Sequence, residues 1–206
     1  MSTRALIHVV DDDDSLRTAL MRLLGAAGFE ARGYASTGDF LLQPVPDRPG
    51  CMLLDVRLPG PSGLELQAAL QRQGVALPVV FLTGHADVSS SVRAMKAGAV
   101  DFLTKPVERA TLLDALQRAL ALDALQRTAR DEGARLRERF ATLKPCEREV
   151  FDRIVAGKLN KQIADELKLA ERTIKLRRAH VMAKLGAGSA AELGRLAERL
   201  RNLSDG

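Results

Sequence analysis

Aromatic residues and cysteines are scarce in this chain, and their scarcity excludes several classes of protein. The 206 residues include no tryptophan, one tyrosine, six phenylalanines and two cysteines. A surface with so few aromatic rings is a poor stacking platform for single-stranded nucleic acid. Cys51 and Cys146 have no paired CxxC spacing, which argues against a disulfide framework and a zinc site. The three histidines form no HExxH motif, so metalloprotease chemistry has no support.

Long apolar runs are also missing. No stretch approaches the roughly 18–20 residues of a membrane helix, and the N-terminus lacks the apolar core of a signal peptide. We therefore expect a cytoplasmic protein with no membrane partner. A hydrophobic share of 46% against 28% charged residues is ordinary for a globular chain, and 206 residues are comfortable for two domains.

The positive charge is concentrated in the last third of the chain. Residues 1–122 carry a net charge of −1, residues 123–140 carry +1, and residues 141–206 carry +5. A basic C-terminal region indicates an acidic partner such as nucleic acid. Charge alone fits an ordinary basic domain equally well.

The first 122 residues alternate short apolar runs with helical patterns. Five runs predict strands: Leu6–Val10, Phe29–Tyr34, Cys51–Asp55, Pro78–Thr83 and Val100–Thr104. Helical spacing predicts helices over Ser15–Ala27, Ser36–Leu42, Gly63–Gln73, Asp87–Ala97 and Glu108–Leu122. These units predict an α/β domain with a doubly wound, five-stranded parallel sheet, in which the less apolar second run is an edge strand.

A helical pattern without proline continues from Glu108 to Thr142. Its apolar stripe is formed by five leucines, Leu112, Leu113, Leu116, Leu120 and Leu125. Gly133 is a weak point, because glycine costs a helix about 1 kcal/mol relative to alanine. We predict one domain over residues 1–122, a helical linker over 123–142 and an all-α domain over 143–206. A long dimeric coiled coil is the alternative interpretation of the linker, although the heptad signal is short.

Five polar residues lie at the predicted strand ends. Asp11 and Asp12 follow the first strand, Asp55 ends the third, Thr83 ends the fourth, and Lys105 follows the fifth. Open parallel sheets gather ligands at this edge. Three carboxylates there need a cation, and oxygen ligands of high charge suit Mg²⁺. A lysine and a hydroxyl can hold a phosphoryl group, so Asp55 can act as a nucleophile that forms an acyl phosphate.

Each of these residues has an ordinary interpretation when it is taken alone. Asp11–Asp14 can be a solvated turn that caps a helix at Ser15, and Thr104–Pro106 can be a common turn. Their occurrence together at the ends of the correct strands favours the interpretation that they form one phosphoryl-accepting site.

Residues 5–122 resemble the receiver domain of two-component response regulators, a flavodoxin-like fold. The resemblance rests on the segments VVDDD, LLDVRLPGPSG, FLTGH and DFLTKP, which occur in the family's order and spacing. It implies that a sensor histidine kinase phosphorylates Asp55. It also implies Mg²⁺ bound by Asp12, Asp55 and the backbone carbonyl of Arg57, with Asp11 helping through water.

The same resemblance implies a phosphoryl-binding pair and a switch residue. Thr83 and Lys105 would bind the phosphoryl group, and Phe102 would be an aromatic switch coupled to Thr83. Such a domain promotes only its own phosphoryl transfer and dephosphorylation, so we do not expect an enzyme with an external substrate. The sequence has no P-loop, no GxSxG motif and no nucleotide fingerprint.

The last 64 or so residues predict four helices and no strand. The helices run over Glu147–Ala156, over Lys161–Leu167, from Ala170-Glu171 through Lys184, and over Ala190–Leu200. Asn160 and Ser189 are the expected N-caps, and Gly186 closes the third helix. A short helix, a tight turn and a longer cationic helix can enter the major groove of DNA. A helical bundle with a solvated basic face is the alternative.

Residues 143–200 resemble the LuxR-type tetrahelical helix-turn-helix domain of the NarL/FixJ group. The shared pattern is LKPCEREV, Gly157, NKQIA, ERTIK and MAKLG. By resemblance, Glu147 makes a contact inside the domain. Three residues would approach backbone phosphates, namely Asn160, Lys161 and Thr173. Three others would face base edges, namely Lys175, Leu176 and Ala179.

The chain departs from the family pattern at three positions. Lys144 and Cys146 stand where the family favours Thr and Arg, which weakens an N-cap and an internal ion pair. Arg177 stands where the family commonly has His, and we expect it to add a phosphate contact. Arg178 is a further cation of this helix on the DNA side.

The order of receiver, helical linker and LuxR-type domain predicts a phosphorylation-controlled transcriptional regulator. We expect it to bind double-stranded promoter DNA as a homodimer when phosphorylated, with RNA polymerase left open as a further partner. Met95 and the Val92–Lys96 surface would be offered to the second copy. One alternative is a phosphorylation-independent DNA-binding protein with a constitutively associated receiver. A phosphatase or kinase of the same α/β topology is the other.

Overall fold

The structure is a computed structural model that describes residues 4–84 and 88–203. Five strands and five helices alternate along the first part of these described residues. The elements are β1 Leu6–Val10, α1 Asp14–Ala26, β2 Glu30–Tyr34, α2 Thr37–Leu41, β3 Gly50–Leu54, α3 Gly63–Arg72, β4 Val79–Thr83, α4 Val88–Lys96, β5 Asp101–Thr104 and α5 Arg109–Ala141. Four helices follow, α6 Pro145–Val155, α7 Asn160–Leu167, α8 Glu171–Leu185 and α9 Ala190–Asn202. The chain divides into two compact units between Arg127 and Thr128, so α5 begins in the first unit and ends in the second.

The first unit is built on a parallel sheet in the order β2-β1-β3-β4-β5. Every residue of β1, β3 and β4 is buried, because helices cover both faces of the sheet. β2 lies at an edge and is largely accessible, as its less apolar sequence predicts. The strand order reverses between β1 and β3, and this switch point places the loops after both strands side by side. The predicted doubly wound α/β fold is confirmed.

The leucine stripe predicted for α5 is wrong at one position. The buried face consists of Leu112, Ala115, Leu116 and Ala119, and it continues to Asp123, which is 2% exposed. Leu125 is 71% exposed. A period of 3.6 residues turns position 123 inward after 116 and 119, so the aspartate takes the place expected of an apolar residue.

Gly133 does not interrupt α5, which is one helix through Ala141. A Cβ at Gly133 would lie 3.0 Å from a methyl carbon of Leu203. Close packing between α5 and the residue after α9 therefore accounts for the glycine.

The second unit is all-α in its described residues, and its apolar core is drawn from all four of the later helices. Ser189 caps α9 as predicted, because its Oγ accepts the Glu192 N–H at 3.1 Å. The prediction for Asn160 is wrong. It is the first residue of α7, and Leu159 precedes the helix with its N–H donated to Gln162 Oε1 at 2.8 Å. Gly186 ends α8 with a φ of 68°, as expected.

A membrane-spanning segment is not found among the helices of the described ranges, none of which combines the required length and apolarity.

A buried histidine makes the stability of the first unit depend on pH. His8 is 2% exposed, and its Nδ1 shares a hydrogen bond of 2.9 Å with the Tyr34 hydroxyl. Burial, together with the nearby Arg32 and Arg48 guanidinium groups, lowers the pKa of His8 to about 4. Below the ordinary histidine pKa of 6.5, the unfolded chain takes up a proton that the folded chain does not. Stability therefore falls as the pH drops from 6.5 towards 4.

We predict that the free energy of unfolding of the first unit falls by about 2 kcal/mol between pH 7 and pH 5. Tyr34 is the only tyrosine and the chain has no tryptophan, so intrinsic fluorescence in a urea titration reports this unit alone. The matched variant His8→Phe fits the aromatic surroundings and cannot titrate. An equal pH dependence in wild type and variant would show that His8 is not the cause.

Candidate acidic site and nucleic-acid interface

Three aspartates come together at the carboxyl edge of the sheet. Asp11 and Asp12 follow β1, and Asp55 follows β3, so the neighbouring strands deliver them to one place. One oxygen of each carboxylate lies within 4.8 Å of the others. Asp11 and Asp55 are buried, at 2% and 7% exposed, whereas Asp12 is open to solvent. The site thus consists of two buried carboxylates, Asp11 and Asp55, and one solvent-exposed carboxylate, Asp12.

Lys105 supplies the counter-charge to the buried pair. Its Nζ lies 2.6 Å from Asp11 Oδ2 and 2.6 Å from Asp55 Oδ2. Burial raises the pKa of Asp11, although the hydrogen bond from Lys105 opposes this. Burial alone would lower the pKa of Lys105, but the hydrogen bonds to Asp11 and Asp55 outweigh it and raise that pKa. Lys105 therefore stays protonated and balances one of the two carboxylates.

The donor set fits a hard divalent cation. All the grouped ligand atoms are carboxylate oxygens, which Mg²⁺ prefers, and one lysine cannot neutralise three acids. The raised pKa of Asp11 indicates a carboxylate whose burial is incompletely compensated. Asp12 provides a solvent-facing ligand through which an ion with bound water can enter.

The backbone after β3 holds Asp55 in place. Arg57 N–H donates to Asp55 Oδ1 at 3.0 Å, while the Arg57 side chain is exposed. Gly63 N–H donates to Val56 O at 3.0 Å, which closes the loop onto itself. A Cβ at Gly63 would lie 2.1 Å from the Asp55 carbonyl oxygen, so only glycine fits. The sequence offered no sign of this contact, because Gly63 looks like an ordinary first residue of a helix.

Thr83 and Phe102 occupy neighbouring strands. Thr83 ends β4 and is 1% exposed, and Phe102 on β5 is partly buried with its ring centroid 6.1 Å from that of Phe81. The register pairs Phe81 with Phe102 and Thr83 with Thr104, so these side chains share one face of the sheet. His85 of the FLTGH segment and the first residue of the predicted helix Asp87–Ala97 lie outside the described residues.

The second unit presents a helix-turn-helix formed by α7 and α8. The turn between them contains Lys168 in a left-handed conformation with a φ of 53°, and α8 begins three residues later at Glu171. Ile174, Val181 and Leu185 anchor α8 in the core. The opposite stripe is exposed at every helical repeat, and its residues are Arg172, Lys175, Leu176, Ala179, His180 and Ala183. The helix thus offers one long face to a partner.

The predicted DNA-contacting residues border this face. Lys161 is exposed at the start of α7, whereas Asn160, Thr173 and Arg177 are partly buried. Arg178 Nη1 donates to Asn160 Oδ1 at 3.2 Å, which ties α8 to the start of α7. Lys175 pairs with Glu171 one turn earlier at 3.2 Å, and with 64% of its side chain exposed it can exchange this partner.

Glu147 makes the contact inside the domain that the family resemblance implies. It is 3% exposed, and its Oε2 lies 2.6 Å from Lys184 Nζ and accepts the Lys144 N–H at 2.8 Å. The hydrogen bond from Lys184 holds the pKa of Glu147 below its usual range. The Lys144 side chain makes no capping bond, so Glu147 takes over the free N–H at the start of α6.

Comparison with known families matches both units. The response regulator receiver domain matches residues 7–117, and the bacterial regulatory proteins of the luxR family match residues 141–197. The two matches follow each other in the order of the two compact units.

Similar proteins and solved structures extend over nearly the whole chain. The chain is 45% identical over 199 residues to the Nodulation protein W of Bradyrhizobium diazoefficiens, covering 97% of this chain and 88% of that protein. It is 40% identical over 210 residues to the transcriptional regulatory protein FixJ of the same organism, covering all of both chains. The structure of the response regulator StyR is similar with a TM-score of 0.82 and 43% identity, covering 96% of this chain and 100% of that one.

Proposed function

Because the chain belongs to the response regulators of the NarL/FixJ group, which join a receiver to a LuxR-type domain, we propose that phosphorylation of Asp55 controls its binding to promoter DNA. A sensor histidine kinase is the proposed phosphoryl donor. The observation that carries the proposal is the buried Asp11–Lys105–Asp55 bridge at the switch point of the sheet. It lies in a chain whose second unit exposes a basic helix-turn-helix.

The chemistry is transfer of a phosphoryl group to a carboxylate. An Asp55 oxygen attacks the phosphorus of the kinase phosphohistidine, the P–N bond breaks, and its electron pair returns to the imidazole. Arg57 N–H holds one Asp55 oxygen during the transfer. Mg²⁺, held by Asp11, Asp12, Asp55 and the Arg57 carbonyl, would neutralise charge on the phosphoryl oxygens.

The proposed response to phosphorylation begins with Lys105 and Thr83. Lys105 exchanges the Asp55 carboxylate for a phosphoryl oxygen, which is a stronger charge-assisted acceptor. Thr83 ends a strand beside the site, so its hydroxyl can donate to a second phosphoryl oxygen. A shift of Thr83 frees space beside Phe102, which we propose as the switch residue because it shares that face of the sheet.

The proposed dimer surface lies on α4, β5 and α5. Val92 and Met95 of α4 are 45% and 48% exposed, which leaves apolar area for a second copy. A symmetric dimer reads an operator with two-fold symmetry. RNA polymerase is a further partner that we propose only as a consequence of promoter binding.

DNA binding is proposed to place α8 in the major groove. Asn160, Lys161 and Thr173 would contact backbone phosphates, together with the cations Arg177 and Arg178 of α8. The base-facing positions would be Lys175, Leu176 and Ala179, which lie on the exposed stripe. Lys175 can donate to guanine, whereas the two apolar side chains can only contact a thymine methyl.

Selection from a randomised duplex library tests the proposed function. We expect the protein treated with an acyl-phosphate donor and Mg²⁺ to enrich a two-fold motif whose half-sites lie about one helical turn apart. The untreated protein should enrich it weakly. Equal enrichment with and without donor would favour phosphorylation-independent binding, and the absence of any motif in both would contradict the proposal.

Thymine methyl groups in the selected operator provide a test of base reading. Replacing a contacted thymine by uracil removes one methyl group, and we predict that wild-type affinity falls about fourfold at that position. Leu176→Ala should bind more weakly and should no longer distinguish thymine from uracil there. Fluorescence anisotropy with both duplexes measures the four affinities. A wild type insensitive to uracil at every position would contradict this role of Leu176.

A further inference from the structure

Helix α5 buries a carboxylate at a position where helical spacing predicts an apolar residue. Asp123 is 2% exposed, and its Oδ2 accepts a hydrogen bond from Gly50 N–H at 3.1 Å. A buried acid needs such bonds, and an apolar side chain at position 123 would remove the acceptor that the buried Gly50 N–H uses. The contact ties α5 to the first residue of β3.

The partner of Asp123 is the first residue of the strand that leads to Asp55. Gly50 begins β3, and a Cβ there would lie 2.4 Å from the Leu6 carbonyl oxygen, so this position admits only glycine. β3 is buried along its whole length and pairs with β1 and β4. The strand is thus a stiff connection between the Asp123 contact at one end and Asp55 at the other.

The segment leading into α5 is attached to the opposite end of the same strand. Lys105, four residues before α5, lies 2.6 Å from Asp55 Oδ2. The Lys105–Asp55 contact therefore joins the segment before α5 to the carboxyl end of β3, and the Asp123–Gly50 contact joins α5 itself to the amino end of β3. Phosphorylation of Asp55 changes the first contact directly, because Lys105 acquires a phosphoryl oxygen as its partner. The second contact contains no atom of the phosphorylation site.

A second, weaker contact lies one turn after Asp123. Arg127 Nη1 pairs with Asp47 Oδ1 at 2.8 Å, in the loop just before Gly50. Asp47 is 91% exposed, so this pair contributes little by itself. Arg127 is also the last residue of the first unit, which puts both contacts on the stretch of α5 just before the second unit begins.

Resting on the proposed function, we propose that Asp123 is a positioning residue for the signal. It is the fixed attachment about which α5 moves when the Lys105–Asp55 contact changes. When Lys105 moves with its new partner, the start of α5 is displaced while Gly50 holds Asp123 in place. The displacement of the helix is then transmitted to the part of α5 that continues beyond Arg127. Without the attachment, α5 shifts along the sheet and the displacement is lost.

The test compares three variants of the full chain. Asp123→Ala removes the acceptor, Asp123→Asn keeps an acceptor oxygen without the charge, and Asp131→Ala is a matched control because Asp131 is exposed on the same helix. Three quantities are measured: the phosphorylated fraction by intact mass, unfolding by Tyr34 fluorescence, and affinity for the selected duplex with and without the acyl-phosphate donor. The decisive number is the ratio of the two affinities.

We expect all variants to be phosphorylated as the wild type is. The affinity ratio should fall at least about threefold in Asp123→Ala, fall less in Asp123→Asn and stay unchanged in Asp131→Ala. A merely structural role would lower stability and leave the ratio at the wild-type value, which overturns the proposal. If the alanine variant does not fold, an unchanged ratio in Asp123→Asn overturns it equally. A wild-type ratio of one contradicts the proposed function itself, and the inference with it.

Discussion

We expect that replacing Asp55 by asparagine abolishes phosphoryl incorporation and with it the proposed gain in DNA affinity. The amide is a poor nucleophile and carries no charge, while its size and its hydrogen bond from Arg57 N–H are kept. Lys105 keeps its contact with Asp11, so the fold of the site is preserved. Intact mass after treatment with an acyl-phosphate donor measures the loss directly, and we expect no phosphorylated species above background.

Asp39→Asn is the matched control for this experiment, because Asp39 is an exposed aspartate of the same unit. It should be phosphorylated as the wild type is. Urea unfolding followed by Tyr34 fluorescence checks that both variants are folded. Phosphoryl incorporation by Asp55→Asn at the wild-type level would show that the acceptor is another residue.

The second large expected effect concerns the proposed phosphate contacts of the helix-turn-helix. Lys161→Ala combined with Arg177→Ala should weaken binding of the selected duplex about a hundredfold at low salt, since each lost contact costs about tenfold. The slope of log affinity against log salt should fall by about two units, because each contact releases about one counterion. Each single variant should give half of the slope change.

A salt series distinguishes this role from a general effect of charge. Arg195→Ala removes one charge from the exposed surface of α9 in the same unit, and it should leave the slope unchanged. If the double variant and Arg195→Ala alter the slope equally per charge removed, Lys161 and Arg177 act only through net charge. An unchanged slope in the double variant would remove both residues from the interface.

The acidic site could be predicted because the topology of a parallel sheet determines which strand ends meet. Asp11 and Asp55 follow adjacent strands, and Lys105 follows the edge strand on the same side, so their order along the chain was sufficient. The contacts that each side chain makes within the site could not be predicted from the sequence. The sequence does not show that Lys105 bridges two acids, nor that Gly63 touches the Asp55 carbonyl, because both contacts depend on loop conformation.

Predictions from the sequence were wrong where the local pattern and the tertiary contacts disagree. Leu125 looked like part of the buried stripe of α5, yet it is exposed. Asp123 takes the inward position and accepts a hydrogen bond from Gly50, more than 70 positions away. Asn160 is a favourable capping residue by type, but the helix begins at Asn160 itself and Gln162 satisfies the free N–H of Leu159. A partner distant in the sequence determined the first result, and a competing side chain determined the second.

We propose that phosphorylation of Asp55 sets the affinity for DNA, and a titration that follows both quantities tests this. The protein is treated with increasing acyl-phosphate donor, and the phosphorylated fraction and the affinity for the selected duplex are measured on the same samples. We predict that the affinity rises in proportion to the phosphorylated fraction and returns to its starting value as the acyl phosphate hydrolyses. Nearly complete phosphorylation with unchanged affinity would contradict the claim.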